Sequence, residues 1–533
     1  MRSDRPSLNP IVLSGTFLLI AGAALSLRLG VALREPLWLD ELHTAWCVDG
    51  PFNIVWNRAG QGNQSPFYFW IEWLVCQPFG LTEFWLRLPS VVYGSLAAIA
   101  ASLFVWSFKR SLLAASLTGL LVAIDPQFIF YGSEARPYAL VQLLSVLQVF
   151  LFARETRVQT VSATADSNSP INPGLAVFTA LLLMTHLTAG SLIIAEVFLL
   201  LIFFRQIPIR RAAISLALGS TAFLPLAFLT QRIFSHRTDW QAVSDSAQLI
   251  AELQPAILVY VVAPLIVCLP AWGWQRFRVE PNVAPENRLL PWMTLTLTWG
   301  LTPIILLWAA DLSGLAPVAM NRYAQAGAIA WPVFCGLLLS SISSPSLKAI
   351  AVTLIGLNAI VFSGLPNPLL NNRKPAVYRA ENWSAAVELI NSEIAGGTVF
   401  LFSNLLEDHH SLLVQDSGRL QPNPRHRNYL AFPVSGIYKI RPEVKVFPRP
   451  TRRAGRFTND DLQTMRDQSE AWFLIRGTPE LVNAITREFE KRLSLPPSQT
   501  LNWDVRELPG SVVYVVKSTI TTTPTIAREP YHD

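Results

Sequence analysis

Apolar residues dominate the first two thirds of the chain in runs long enough to cross a bilayer, and polar residues collect between them. A helix needs roughly 17–25 mostly apolar residues to cross the hydrocarbon. Runs of that kind, some at the short end, fall at 10–33, 84–108, 111–130, 137–153, 173–187, 189–204, 211–230, 251–274, 291–310, 323–341 and 347–364, which predicts about eleven spans. The stretch Ser65–Phe79 is excluded. It is short, carries Glu72 and two prolines, and is rich in Trp, Tyr and Phe, so it predicts an interfacial helix with aromatic anchors. After about Asn382 the pattern changes. Thr398–Phe402, Ala471–Ile475 and Ser511–Val516 read as strands, and Ala385–Ile394 and Pro479–Lys491 as amphipathic helices. Alternation of that kind predicts a small α/β layer structure.

Composition agrees with a membrane chain. Hydrophobic residues make up 51% and charged residues only 15%, where a soluble domain has about a quarter charged. That excludes a soluble enzyme, a disordered protein and a fibrous repeat. Half of the charged residues lie after Leu365. The expected division is therefore a membrane domain, 1–364, with a long first outer loop at 34–83, followed by a water-soluble domain, 365–533. Met1–Arg5 is basic and Ile11–Leu27 apolar, as in a signal peptide. The apolar run resumes after Arg28 as far as Leu33, so an uncleaved first span is expected.

Charge supplies the orientation. Arg2 and Arg5, Lys109 and Arg110, Arg154 and Arg157, Arg205, Arg210 and Arg211, Arg276, Arg278 and Arg288, and Lys348 all fall on one side of this span arrangement. Lys and Arg in short loops mark the cytoplasmic side. The N-terminus is then cytoplasmic and the C-terminal domain extracytoplasmic. The pI near 9.2 reflects this arrangement and not a nucleic-acid partner. Cys47 and Cys76 share the first loop and are the pair to examine for a disulfide, whereas Cys268 and Cys335 sit in apolar runs as buried thiols. Asn63-Gln64-Ser65 and Asn382-Trp383-Ser384 match the glycosylation sequon.

The groups able to do chemistry gather at the outer ends of spans. Asp40 and Glu41 are adjacent carboxylates in Glu35-Pro36-Leu37-Trp38-Leu39-Asp40-Glu41. They read either as a solvated helix start or as a partly desolvated general base. Glu134 and Arg136, in Tyr131-Gly132-Ser133-Glu134-Ala135-Arg136-Pro137-Tyr138, read as a local ion pair or as a phosphate-facing guanidinium. His186 reads as a packed, hydrogen-bonded residue or as a functional one. Arg322 and Tyr323 read as interfacial snorkelling or as part of a site. Arg28 and Arg87 are placed similarly. Acids beside cations suit a reaction that takes a proton from a nucleophile and stabilises an anionic leaving group.

These motifs together resemble those of the GT-C membrane glycosyltransferases, among them the protein O-mannosyltransferases and the lipid A aminoarabinose transferases. The resemblance runs through Arg28 and Pro36–Glu41, Phe79–Ser90, the Glu-Ala-Arg-Pro-Tyr core of Tyr131–Leu140, Thr185-His186 and Arg322-Tyr323. It implies an α-helical polytopic GT-C fold with a C-terminal extracytoplasmic domain. It also implies transfer of a sugar from a polyprenyl-phosphate donor to a glycolipid, polysaccharide or protein acceptor on the outer face, with inversion. Asp40 would be the base, supported by Glu41. Arg136 and Arg322, with Glu134, His186 and Tyr323, would hold the donor. Many relatives place an acid or histidine before Pro-Pro-Leu in the first loop, and this chain has Gly62-Asn63-Gln64-Ser65-Pro66-Phe67 there, so the metal and any cofactor stay unassigned. Glu72 and His43 are the other first-loop groups with ligand chemistry. The competing readings are a flippase or transporter of lipid-linked glycans, which should show internal repeats and mid-span ionisable groups, and a catalytically silent assembly subunit. In the tail, Arg441, Lys445, Arg449, Arg452, Arg453 and Arg456 read as a solvated loop or as a surface for anionic headgroups or acidic glycan. Asp408-His409-His410 lacks further ligands at a recognisable spacing.

Overall fold

The computed structural model describes residues 10–62, 64–157, 172–203, 209–227, 257–278, 289–315, 318–364, 379–394, 396–403, 424–451, 457–468 and 470–522. Contacts divide the chain into two compact units. One comprises Met1–Arg34, Gly50–Gly80 and Phe84–Pro375, and the other Glu35–Asp49, Leu81–Glu83 and Ala376–Asp533. The short segment carrying Asp40 and Glu41 thus packs with the C-terminal part of the chain.

The first unit is helical. Six helices among the described residues are long and apolar enough to cross a membrane: Pro10–Ala32, Glu83–Lys109, Tyr138–Thr156, Pro291–Leu312, Asn321–Ser340 and Pro345–Phe362. Leu112–Ile124 and Pro126–Gly132 form a further, broken pair bent by 63°. Shorter apolar helices cover Pro173–Thr185, Leu187–Ile202 and Leu258–Ala271. The protein is a multi-pass membrane protein. Outward faces are apolar, as lipid requires: Ile350, Leu354, Leu357 and Val361 form one exposed stripe at helical spacing on the last of these helices. Ser65–Phe79 contains a helix of 13 residues, Phe67–Phe79, too short to span.

Two expected spans are not straight. The run 111–130 breaks at Asp125. Helices are labelled here in chain order: α1 (Pro10–Ala32), α2 (Leu39–Val48), α3 (Phe52–Gln61), α4 (Phe67–Phe79), α5 (Glu83–Lys109), α6 (Leu112–Ile124), α7 (Pro126–Gly132), α8 (Tyr138–Arg157), α9 (Pro173–Thr185) and α10 (Gly190–Ile202). Asp125 ends α6 and starts α7, its carboxylate accepting from Gln127 N and Phe128 N at 2.8 and 3.2 Å, with Pro126 at the first helical position. Tyr260 adds its hydroxyl at 2.6 Å. The run 323–341 opens with a 3₁₀ turn at Asn321–Ala324 and a short helix at Gln325–Ala328 before the helix Ala330–Ser340. The indole of Trp299 donates to Ala326 O at 2.7 Å across this break.

A break in a membrane helix leaves carbonyls to be satisfied. Arg28, fully buried on α1, donates to Val122 O at 2.9 Å and Ala123 O at 3.3 Å at the end of α6, and to Ala24 O of its own helix at 3.1 Å. Arg87 likewise reaches Ala32 O, the last residue of α1, at 2.8 Å. A cation at a helix C-terminus is favoured by the helix dipole. These two arginines therefore hold helix ends. Arg28 fits because Gly94 and Gly132 lack side chains: a Cβ on them would lie 2.6 and 2.4 Å from its Nε.

Inside the bundle, polar groups are paired between helices. Gln142 donates to Gln325 at 2.7 Å, and Gln148 to Glu196 at 2.7 Å and to Thr179 at 3.3 Å. All four cysteines are buried.

The second unit has a five-stranded sheet, β1 (Gly397–Phe402), β2 (Val444–Pro448), β3 (Glu470–Arg476), β4 (Gln499–Glu507) and β5 (Val513–Thr522), in the order β2-β1-β3-β5-β4. The pairs β1–β2 and β1–β3 are parallel, while β3–β5 and β4–β5 are antiparallel. Phe400 and Phe402 of β1 and Phe473 and Ile475 of β3 meet Ile485 and Phe489 of the helix Pro479–Leu493 in one apolar cluster. Val399, Leu401, Trp472 and Leu474, which alternate with them, are buried too. Central strands covered on both faces read as continuous apolar runs, which is why β1 and β3 are visible in the sequence. β2 has a partly exposed edge and β4 alternates with exposed positions, and the apolar-run reading misses both. Asn382 caps the helix Trp383–Glu393 through Ala385 N at 3.0 Å.

Replacing Gly132 by Val drives a side chain into Arg28. An overpacked core costs about 1–3 kcal/mol, so the thermal unfolding midpoint of the detergent-solubilised protein should fall. Gly15→Val, where a Cβ meets nothing within 4 Å, should leave it unchanged.

Candidate functional site

The expected site residues separate into two groups, one in each unit. In the membrane unit, α7 ends at Gly132 and the chain turns before α8. Ser133 Oγ donates to Phe130 O at 3.1 Å, Arg136 N to Glu134 O at 2.8 Å, and Pro137 leads into α8. Glu134 and Arg136 are both buried in this turn. The Arg136 carbonyl is fixed from α5 by Ser90 Oγ at 3.1 Å, and that hydroxyl also bonds the Tyr68 hydroxyl of α4 at 2.9 Å. Glu72 of α4 lies against Tyr68, Tyr93 and Cys76.

His186 occupies the extended residue between α9 and the 3₁₀ turn Leu187–Ala189. Its ring lies in an aromatic row: Tyr131 to Tyr138 at 5.1 Å, Tyr138 to His186 at 5.7 Å, and His186 to Tyr323 at 5.7 Å between centroids. Arg136 stands 6.0 Å over Tyr138 and Arg322 stands 5.1 Å over Tyr323. Both guanidinium groups act electrostatically on His186. Thr188 Oγ1 donates to Tyr323 O at 2.9 Å and contacts His186 Nδ1 at 2.8 Å. A hydroxyl has a single proton, so His186 Nδ1–H is the donor to Thr188, and in the neutral ring Nε2 remains an acceptor. The structure brings together Arg136, His186, Arg322 and Tyr323. Thr188 carries no signal in the sequence, being a hydroxyl inside the 3₁₀ turn Leu187–Ala189 that no periodicity marks.

The other group is on α2. Nine of its ten residues are buried, and Asp40 is the exception. Glu41 is fully buried. Its carboxylate accepts from Trp38 N at 3.3 Å and lies 3.7 Å from Arg379 Nε. Glu41 anchors the helix start, and Asp40 is partly exposed. Further along α2, His43 Nδ1 meets the Tyr429 hydroxyl at 3.0 Å and His43 Nε2 meets Cys47 Sγ at 3.4 Å.

Among the described residues, no three His, Cys, Asp or Glu side chains are grouped so as to hold a metal ion. Of the basic cluster in the tail, Arg449 pairs with Asp461 and stands over Phe447. Arg452, Arg453, Arg456 and Asp408-His409-His410 lie outside the described residues.

Thr188→Val removes both bonds of the hydroxyl that joins His186 to the Tyr323 backbone. A buried hydrogen bond contributes about 0.5–1.5 kcal/mol, so the unfolding midpoint should fall measurably, and Thr188→Ser should restore it.

No protein-family model matches the sequence, and no curated protein is similar to it in sequence. Solved structures are similar in shape. ArnT from Cupriavidus metallidurans in the apo state aligns with a TM-score of 0.52 at 12% identity, covering 95% of this chain and 98% of that one. The same ArnT bound to undecaprenyl phosphate aligns at 0.49 and 11% identity, covering 96% and 97%. The oligosaccharyltransferase AglB from Archaeoglobus fulgidus, in complex with an inhibitory peptide and a dolichol-phosphate, aligns at 0.45 and 12%, covering 98% of this chain and 75% of that one. At such identity the likeness is one of architecture: over nearly its whole length the chain has the GT-C fold that its motifs resemble.

Proposed function

We propose that this protein transfers a glycosyl residue from a polyprenyl-phosphate donor to an acceptor hydroxyl on the extracytoplasmic face of the membrane. The observation that carries the reading is the row of Tyr131, Tyr138, His186 and Tyr323 flanked by Arg136 and Arg322. Guanidinium groups suit a phosphate, and tyrosine and imidazole rings suit the faces of a sugar or an isoprenoid. ArnT of C. metallidurans, whose fold this chain has, has been solved with undecaprenyl phosphate bound.

In the proposed reaction Asp40 takes the proton of the acceptor hydroxyl. The oxygen attacks the anomeric carbon as the bond from that carbon to the phosphate oxygen breaks. The electron pair leaves with the carrier phosphate, whose anion Arg136 and Arg322 stabilise. His186 Nε2 is an acceptor for a sugar hydroxyl. Glu41 holds the helix start. One in-line displacement inverts the anomeric centre. Asp40 is favoured over Glu41 because it is the one residue of α2 that is not buried. The N-terminus is cytoplasmic in this reading, from the Lys and Arg of the short loops.

Asp40→Asn keeps shape and removes the base, and general-base catalysis contributes about 10²–10⁴-fold. A membrane assay with radiolabelled sugar on polyprenyl phosphate should show transfer reduced by that order at unchanged protein level. Normal transfer by Asp40→Asn would remove Asp40 from the reaction. Translocation of lipid-linked sugar by the wild type without transfer would favour the transporter. Nuclear magnetic resonance of the product should show the anomeric configuration opposite to that of the donor, and retention would contradict the single displacement.

A further inference from the structure

The helix that carries Asp40 starts from a segment whose backbone is held almost entirely by side chains. Leu37 N donates to the Tyr438 hydroxyl at 2.7 Å, and that hydroxyl donates to Glu83. Trp38 N donates to Glu41 at 3.3 Å, and Leu39 N to Glu381 Oε2 at 2.9 Å. Three successive amides immediately before Asp40 are thus taken. Two of the three acceptors, Tyr438 and Glu381, come from some 340 to 400 residues later in the chain.

Glu381 is itself fixed. It accepts from the Trp383 indole at 2.8 Å and pairs with Arg476 of β3 at 2.7 Å. The backbone around it is tied to the sheet, with Val512 N donating to Ala380 O at 2.7 Å and Asn382 N to Ser511 Oγ at 3.0 Å. Arg379, two residues earlier, pairs with Glu35 at 3.1 Å and lies 3.7 Å from Glu41. All of these acids and Arg379 are buried. A buried carboxylate is stable only when it is paired and hydrogen-bonded, and here each has a cation beside it.

We infer that Arg379 and Glu381 are positioning residues for Asp40: the C-terminal sheet sets the place and orientation of the reacting acid through the Leu39 amide and the Glu35–Arg379–Glu41 cluster. The inference rests on the transferase reading above. It gives the soluble part of the chain a task in catalysis, that of holding the first turn of α2 rigid while Asp40 alone stays accessible. Neither residue touches substrate in this scheme. A displacement of about 1 Å in a reacting group can lower turnover by about 100-fold, which sets the scale of the effect.

The test compares wild type, Glu381→Leu and Glu381→Gln as full-length chains in detergent or nanodiscs. Glu381→Gln keeps an oxygen for the Leu39 amide, and Glu381→Leu does not. Glu381→Leu should lower kcat by about 100-fold with the KM for polyprenyl-phosphate sugar within about threefold of wild type. Glu381→Gln should recover most of that loss. In parallel, hydrogen exchange of the peptide covering Leu37–Glu41 should quicken in Glu381→Leu while β1 and β3 stay protected. Exchange at Leu37–Glu41 equal to wild type would overturn the inference whatever the activity. So would wild-type kcat in Glu381→Leu, or equal losses in both variants with sheet protection gone, which would mark a general folding defect. Arg379→Met, tested alongside, should also quicken exchange at Leu37–Glu41, and unaltered exchange would remove Arg379 from the network. If Asp40→Asn transfers normally, the transferase reading fails first. If Asp40→Asn is inactive and Glu381→Leu is not, only the positioning inference fails.

Discussion

A charged group inside an apolar bundle has to be surrounded by oxygen, and that constraint organises the membrane unit. Arg28 meets it with the carbonyls that the break at Asp125 leaves open at the end of α6, and Arg87 with the end of α1. Each arginine makes a helix end tolerable, and the helix end makes the arginine tolerable. The broken helix is what sets α7 at an angle and brings Tyr131–Tyr138 into a compact turn. Arg136 and Arg322 are of another kind, since they stand over tyrosine rings beside His186. In the proposed function they face a carrier phosphate.

The same constraint operates in the second unit. Glu35, Glu41 and Glu381 are buried where α2 begins; Glu35 and Glu41 share Arg379, and Glu381 pairs with Arg476. The result is a first turn pinned by side chains, with Asp40 as its partly exposed acid. The grouping of Glu35–Asp49 with the C-terminal residues follows from these pairings.

Much of this was legible in the sequence, for physical reasons. Long apolar runs and the β1 and β3 strands show because burial on all sides removes polar residues from a segment. Asp40, Arg136, His186 and Arg322 stand out as candidates because ionisable groups at span ends are costly. Other features were hidden. The break at Asp125 looks like a continuous apolar run, since a single Asp-Pro pair makes it. Arg28 and Arg87 look like site residues, because a sequence does not say whether a guanidinium faces a ligand or a carbonyl. Arg379 and Glu381 carry no local signal of this role, as Glu35 and Leu39, which they hold, lie more than three hundred residues away.

The account depends on the two arginines of the aromatic row being the anion site of the membrane unit. Native mass spectrometry of the purified protein with undecaprenyl phosphate tests this directly. Wild type and Asp40→Asn should retain the lipid equally, and the double variant Arg136→Met/Arg322→Met should lose it. Equal retention by the double variant and the wild type would contradict the account.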